Sequence, residues 1–147
     1  MKGALVYIAA AIAAVSFLYL YSAFTPKAVV PLRTVHIGSQ TIKVTVAQTP
    51  EERQKGLSGR EGLATDEGML FVFPTDGKYA FWMKDMRFSI DILWLSSDGT
   101  IVHLAQNVSP DTYPKNFTSE SAARYVLELP AGYAASNLVR VGDIVQL

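Results

Sequence analysis

The chain has 147 residues, enough for one domain and a short appendage, with 13 basic and 13 acidic side chains and no cysteine. That balance leaves no basic stripe for nucleic acid and no acidic block of the kind found in disordered tails. The missing cysteine excludes a disulfide, a thiolate metal site, a cysteine nucleophile and a lipidated cysteine.

Residues 4–24 carry no charge and are rich in Ala, Leu, Val and Ile. A helix rising about 1.5 Å per residue over this run spans a hydrocarbon core of roughly 30 Å. A cleaved signal peptide has a shorter apolar stretch, roughly 7–15 residues, and small residues at its cleavage site. Here Tyr19, Tyr21 and Phe24 stand in that place, and they suit an interfacial aromatic belt. Residues 1–25 therefore read as an uncleaved signal anchor, a single-pass transmembrane helix. Lys2 precedes it and Lys27 and Arg33 follow it, so the flanking charge hardly biases its orientation. A lone N-terminal apolar helix most often serves export, which predicts an extracytoplasmic domain, periplasmic or at the cell surface. The proline-bounded stretch 26–32 is the linker, and residues 33–147 are the globular domain.

Within the domain, residues 34–37 and 41–47 alternate polar and apolar side chains across Gly38-Ser39-Gln40, which predicts a β-hairpin. Thr49, Pro50 and Glu52 then have the spacing of a helix start, with Thr49 at the N-cap, Pro50 at N1 and Glu52 closing a capping box. The helix is short, ending near Gly56 and Leu57. Residues 69–73 are apolar on both faces and stop at Pro74, the mark of a central strand. Residues 81–84 and 89–95 read as the arms of a hairpin around 85–88. Asp98-Gly99 predicts a type I′ turn into a strand over 100–106. The long polar stretch 107–124 has the length of a binding loop or lid. A strand over 125–129, a helical turn within 131–138 and a closing strand over 143–147 complete the chain. The expected fold is mainly β (α+β): a compact barrel-like or sandwich domain of six to seven short strands with one or two short helices, preceded by the transmembrane helix.

Residues 81–95 hold both tryptophans and two of the four methionines, with Lys84 and Asp91 set into an apolar run. Buried charges need partners. In the hairpin reading Lys84 lies diagonal to Asp91 and Trp82 opposite it. Alternation puts Asp91 with Leu93 and Leu95, and Ile90, Ile92 and Trp94 on the other face. Glu128 alternates with Val126, between Leu127 and Leu129 on the opposite face. Two readings stay open. One is structural: Lys84 ion-paired with Asp91 or Glu128, or carboxylates accepting backbone N–H bonds, an arrangement of modest net stability. The other is a small-ligand cleft, in which Phe81 and Trp82 form an aromatic wall while Lys84, Arg60, Asp91 and Glu128 converge on a polar group.

Gly56-Leu57 followed by Arg60, the run Gly68-Met69-Leu70-Phe71-Val72-Phe73, Phe81-Trp82-Met83-Lys84, Asp91-Ile92, Leu127-Glu128-Leu129-Pro130-Ala131-Gly132 and Val141-Gly142-Asp143 together carry a family resemblance. The chain resembles the domain of unknown function 192 family from about residue 35 to 147. The resemblance implies a small, mainly β prokaryotic protein, often exported or membrane-anchored, and it implies no particular reaction. Relatives commonly carry methionine directly after Gly-Leu, where this chain has Ser58.

Three functions compete on these grounds. The first is an anchored module binding a small polar ligand or an envelope polysaccharide. The second is a protein-interaction or assembly factor that docks a membrane partner through 107–124. The third is a hydrolase dividing acid and base roles between Asp91 and Glu128. The catalytic reading has no Gly-x-Ser-x-Gly elbow, no His-Glu-x-x-His and no phosphate-binding glycine loop to support it. His36 and His103 lack ligand spacing and read as strand-face histidines. Binding ranks first, and neither a cofactor nor a metal is expected.

Overall fold

The computed structural model describes residues 32–147, so the predicted anchor over 1–25 and most of the linker over 26–32 lie outside the described residues. Alternation sets the first hairpin. In β1 (Leu32–Ile37) and β2 (Gln40–Ala47) it buries Val35, Ile37, Ile42 and Val44 on one face and leaves Thr34, His36, Thr41 and Lys43 exposed. The connecting turn is two residues, Gly38 and Ser39, with Ile37 paired to Gln40.

Helix α1 (Pro50–Lys55) follows with the expected reciprocal cap: Glu52 N donates to Thr49 Oγ1, and Thr49 N donates back to Glu52 Oε2. The helix carries the chain across so that β3 (Glu67–Gly77) runs parallel to β2. The strand does not stop at Pro74. Its ladder with β6 (Ala123–Pro130) is regular from Met69 to Val72 and slips before Gly77, and the irregularity accommodates a proline with no N–H to give.

Strand β4 (Ile90–Leu95) is buried throughout and lies between β5 (Ile101–Val108) and β6. Both of its edges are taken, which overturns the predicted hairpin of 81–84 with 89–95. Phe81 instead forms an isolated bridge to Phe117, and the two backbones exchange hydrogen bonds of 2.8 Å. The stretch 109–122, which contains a 3₁₀ turn at Pro110–Thr112, is thereby tied down over the sheet's outer face. The turn between β4 and β5 is not type I′ either. Only Gly99 has positive φ (86°), so a Ser96–Gly99 hydrogen bond of 3.0 Å closes the turn and Gly99 takes the left-handed position.

The sheet order is β5-β4-β6-β3-β2-β1-β7, with β7 at Val145–Gln146. Curling brings its two ends together. Thr100 bridges Ile144, Ile101 N donates to Asp143 O, and Val145 N donates to Gly99 O. The result is a mainly β half-barrel of seven strands with two short helices, α1 and α2 (Tyr133–Ser136). Its inner face packs Val35, Ile42, Val44, Leu93, Leu127 and Leu129. The outer face is also apolar and packs Phe71, Met83, Ile92, Trp94 and Val126 under the loops. Ile90, Ile92 and Trp94 fall on one face and Leu93 and Leu95 on the other, as alternation requires.

Gly99 is the tightest point of the seam. A Cβ there would stand 2.3 Å from Val145 O, and φ is already in the left-handed region. Gly99→Ala is expected to cost about 2–3 kcal/mol, read as a lowered urea midpoint. An unchanged midpoint would mean the seam contributes nothing.

Candidate functional site

The outer face of the sheet carries a cleft of about 240 Å3. Its floor is Phe71 of β3 and Glu128 of β6, its near wall is the end of α1 with Leu57 and Ser58, and its far wall is Tyr79, Phe81 and Trp82. Local geometry makes the walls. Gly56 caps α1 with φ 49°, and a Cβ on it would lie 3.3 Å from the Phe71 ring. Glycine therefore lets the helix end press on the floor. The aromatic wall is a lattice of edge contacts, with Phe81 at 4.8 Å from Phe71 and 5.9 Å from Trp94 between centroids. Trp94 Nε1 donates to Tyr79 O at 2.9 Å, which fixes the segment entering the wall.

Glu128 lies across from Met69 on one side and Ile92 on the other, so its carboxyl emerges among the outer-face apolar groups. The residue is only 5% exposed, and its Oε2 is buried with no hydrogen-bond partner. Burial pushes its pKa up to about 8, and the Arg60 charge offsets only part of that effect. At neutral pH the group is a neutral carboxyl, able to donate through O–H and accept through C=O.

The expected site residues separate in space. Phe81, Trp82 and Glu128 do line one cleft. Arg60 does not line it; its Nη2 reaches Thr45 Oγ1 at 3.4 Å, and it influences Glu128 by charge alone. Lys84 is exposed and belongs to an adjoining shallow hollow with Glu51 and Asp85, which shares Gln54, Lys55, Ser58 and Trp82 with the cleft.

Asp91 is elsewhere. It pairs with Leu129, the neighbour of Glu128, and therefore faces the barrel interior. There its Oδ1 accepts from Asn107 N (2.8 Å) and Gly132 N (3.2 Å), and its Oδ2 from Ala134 N (2.9 Å). Gly132, the N-cap of α2, has no side chain to cap with, and Asp91 supplies the carboxylate from the neighbouring strand.

These positions correct two expectations. No ion pair joins Lys84 to Asp91 or Glu128: among the described residues the ion pairs are Lys43–Asp66, Arg87–Glu61 and Arg124–Asp76. Of the two structural alternatives, the carboxylate accepting backbone N–H bonds is the one Asp91 realises. The carboxylate pair also fails as a single catalytic site, because Asp91 and Glu128 sit on opposite faces of one sheet. His36 and His103 are strand-face groups, the first bonded to Thr41 Oγ1 at 3.1 Å and the second 5.1 Å from the Trp94 ring.

Sequence reasoning missed Leu57, Ser58, Phe71 and Tyr79 as parts of the cleft. Ser58 left a signal as the position departing from the family's methionine; its Oγ donates to Lys84 O at 2.9 Å, joining α1's end to the far wall.

Comparison with known proteins places the fold. The DUF192 family, described as Uncharacterized ACR, matches residues 33–147. A crystal structure from Sinorhizobium meliloti, named as that of a candidate transcription regulator, is similar at 33% identity and a TM-score of 0.74, covering 78% of this chain and 92% of that one. Another, of a protein of unknown function from Novosphingobium aromaticivorans, is similar at 26% identity and a TM-score of 0.77, covering 83% and 89%. No curated protein matches the chain.

Proposed function

This chain belongs to the DUF192 family, and on that premise we propose that its domain is a binding module holding a small polar ligand in the cleft over Glu128. One observation carries the reading: a buried carboxyl with an unpartnered oxygen forms the floor of an aromatic-walled cleft. Leaving such a group unsatisfied costs about 1–3 kcal/mol, so it is retained against a standing penalty. A ligand that bonds to it recovers that cost on binding. Trp82, 50% exposed at the rim, offers an open ring face for stacking.

The test is a thermal-shift panel on the full-length chain with sugars, nucleosides, amides and small anions. A shift that disappears in a Glu128→Leu, Trp82→Ala double variant supports the reading, and no shift from any class sinks it. Trp82→Ala alone is expected to leave the melting temperature within about 2 °C, because half of the ring is already in water. It is expected to weaken ligand binding about tenfold, the loss of one stacking contact, as measured by isothermal titration.

A further inference from the structure

Glu128 differs from the other polar groups of the cleft in being buried with an unpartnered oxygen, whereas Gln54 and Lys55 are exposed to water. Arg53 is engaged: its Nη1 donates to Gln48 O and to Val72 O (3.0 Å), and its guanidinium lies 5.1 Å from the Phe73 ring. Ser58 Oγ is bonded to Lys84 O. Glu128 alone brings unspent hydrogen-bonding capacity to the floor, beside the Phe71 and Phe81 rings.

Resting on the ligand-cleft reading above, we infer that the ligand is a planar, uncharged group presenting one donor and one acceptor side by side on one edge: a primary carboxamide, a lactam or a nucleobase. A carboxyl O–H and C=O also stand side by side, so the two edges close a ring of two hydrogen bonds. The flat aromatic walls suit a planar body. A trans amide, such as that of an N-acetyl sugar or a peptide, sends its N–H and C=O to opposite edges and can make only one of the two bonds.

The charges argue against a cationic ligand. Arg53 and Lys55 line the cleft and Arg60 acts on Glu128 from outside it, while the adjoining hollow is mixed, with Lys84 beside Glu51 and Asp85. Tyr79 is the other titratable residue of the lining, and no second carboxylate or histidine shares it.

Isothermal titration of the full-length chain with nicotinamide and adenosine tests the inference. Neither probe changes its charge between pH 6.5 and 9.5, whereas Glu128 passes through its titration near 8. Wild-type affinity is expected to fall about 30-fold across that range as the donor is lost, at tenfold per pH unit beyond the titration point. Glu128→Gln also presents a donor beside an acceptor. It is expected to bind both probes at either pH within about threefold. Glu128→Leu, which retains the apolar floor, is expected to bind neither.

Tetramethylammonium and N-acetylglucosamine are the contrasting probes. Binding of either, with none of nicotinamide or adenosine, overturns the inference and leaves the ligand cleft standing. Affinity for nicotinamide that rises with pH, or that survives in Glu128→Leu, overturns it as well. Failure of all four probes counts against both the inference and the cleft.

Discussion

Glu128→Gln is expected to make the folded protein more stable than wild type at pH 8 by about 4 kcal/mol, and to remove most of the pH dependence between pH 5 and 8. The sign follows from the proton. Folded Glu128 titrates near 8, while in the unfolded chain it titrates near 4.5. Below 4.5 both states hold the proton and the group contributes nothing. Between 4.5 and 8 the unfolded chain has released its proton and the folded one has not, so wild-type stability falls as pH rises. Above 8 the loss levels off. Glutamine has nothing to release.

Urea denaturation at pH 5, 6.5 and 8 reads the difference directly. Parallel wild-type and variant curves would show that Glu128 is not desolvated as described. The depressed carboxylates act in another window and in the opposite sense. Glu52 is lowered by the backbone N–H groups of Thr49 and Gln48, Asp66 by Lys43, and Asp98 by Ser96 and Thr100. Their contribution is present at neutral pH and is lost as pH falls below about 4.

Asp91→Ala is expected to destabilise the domain by about 3–5 kcal/mol, because three backbone N–H groups lose a charged acceptor together. The damage extends past β4. Asn107 closes β5 in a left-handed conformation (φ 51°), and Gly132 and Ala134 begin α2, so one carboxylate joins two elements. Asp91→Asn keeps an oxygen for two of the three donors and turns an amide N–H toward the third. A loss of about 2 kcal/mol is expected. Equilibrium unfolding measures both. Ligand binding distinguishes Asp91 from Glu128: the folded fraction of Asp91→Asn should bind like wild type, since the sheet lies between this carboxylate and the cleft. Weakened binding by folded Asp91→Asn would contradict that separation.

What the sequence could reveal depended on how local the determining forces are. The capping box at Thr49 and Glu52 and the alternation of β1, β2, β4 and β6 were legible, because cap chemistry and strand periodicity act over a few residues. Alternation even assigned Asp91 and Glu128 to their correct neighbours. It could not say that their strands are adjacent and in a register that puts the two carboxylates on opposite faces, because β4–β6 pairing skips over β5 and the stretch 109–122. The hairpin assigned to 81–95 failed for the same reason. A turn and two apolar runs suggest a local pairing, and β5 and β6 claim both edges of β4 from a distance. The two charges that stood out in the sequence were Lys84 and Asp91, and Asp91 is spent on backbone N–H groups. Lys84 is a solvated surface group, and Glu128, flanked by leucines, is the one whose chemistry is unspent.

The strand order governs how the domain can assemble. β6 is wedged between β3 and β4, so β3, paired with β2, and β4, paired with β5, each lack their second partner until nearly all of the domain has left the ribosome. The β1–β2 hairpin can close early, because its loop is two residues long. β3 can then add alongside it, but the apolar edges of Met69, Leu70 and Phe71 wait for residues some sixty positions downstream, and β1 waits for β7. Non-local closures of this kind are slow, and the waiting chain exposes pairing edges to other chains. Folding is therefore the stage at which this otherwise well-buried sheet is vulnerable to self-association, and a nascent chain stalled before β6 is the species most exposed to it.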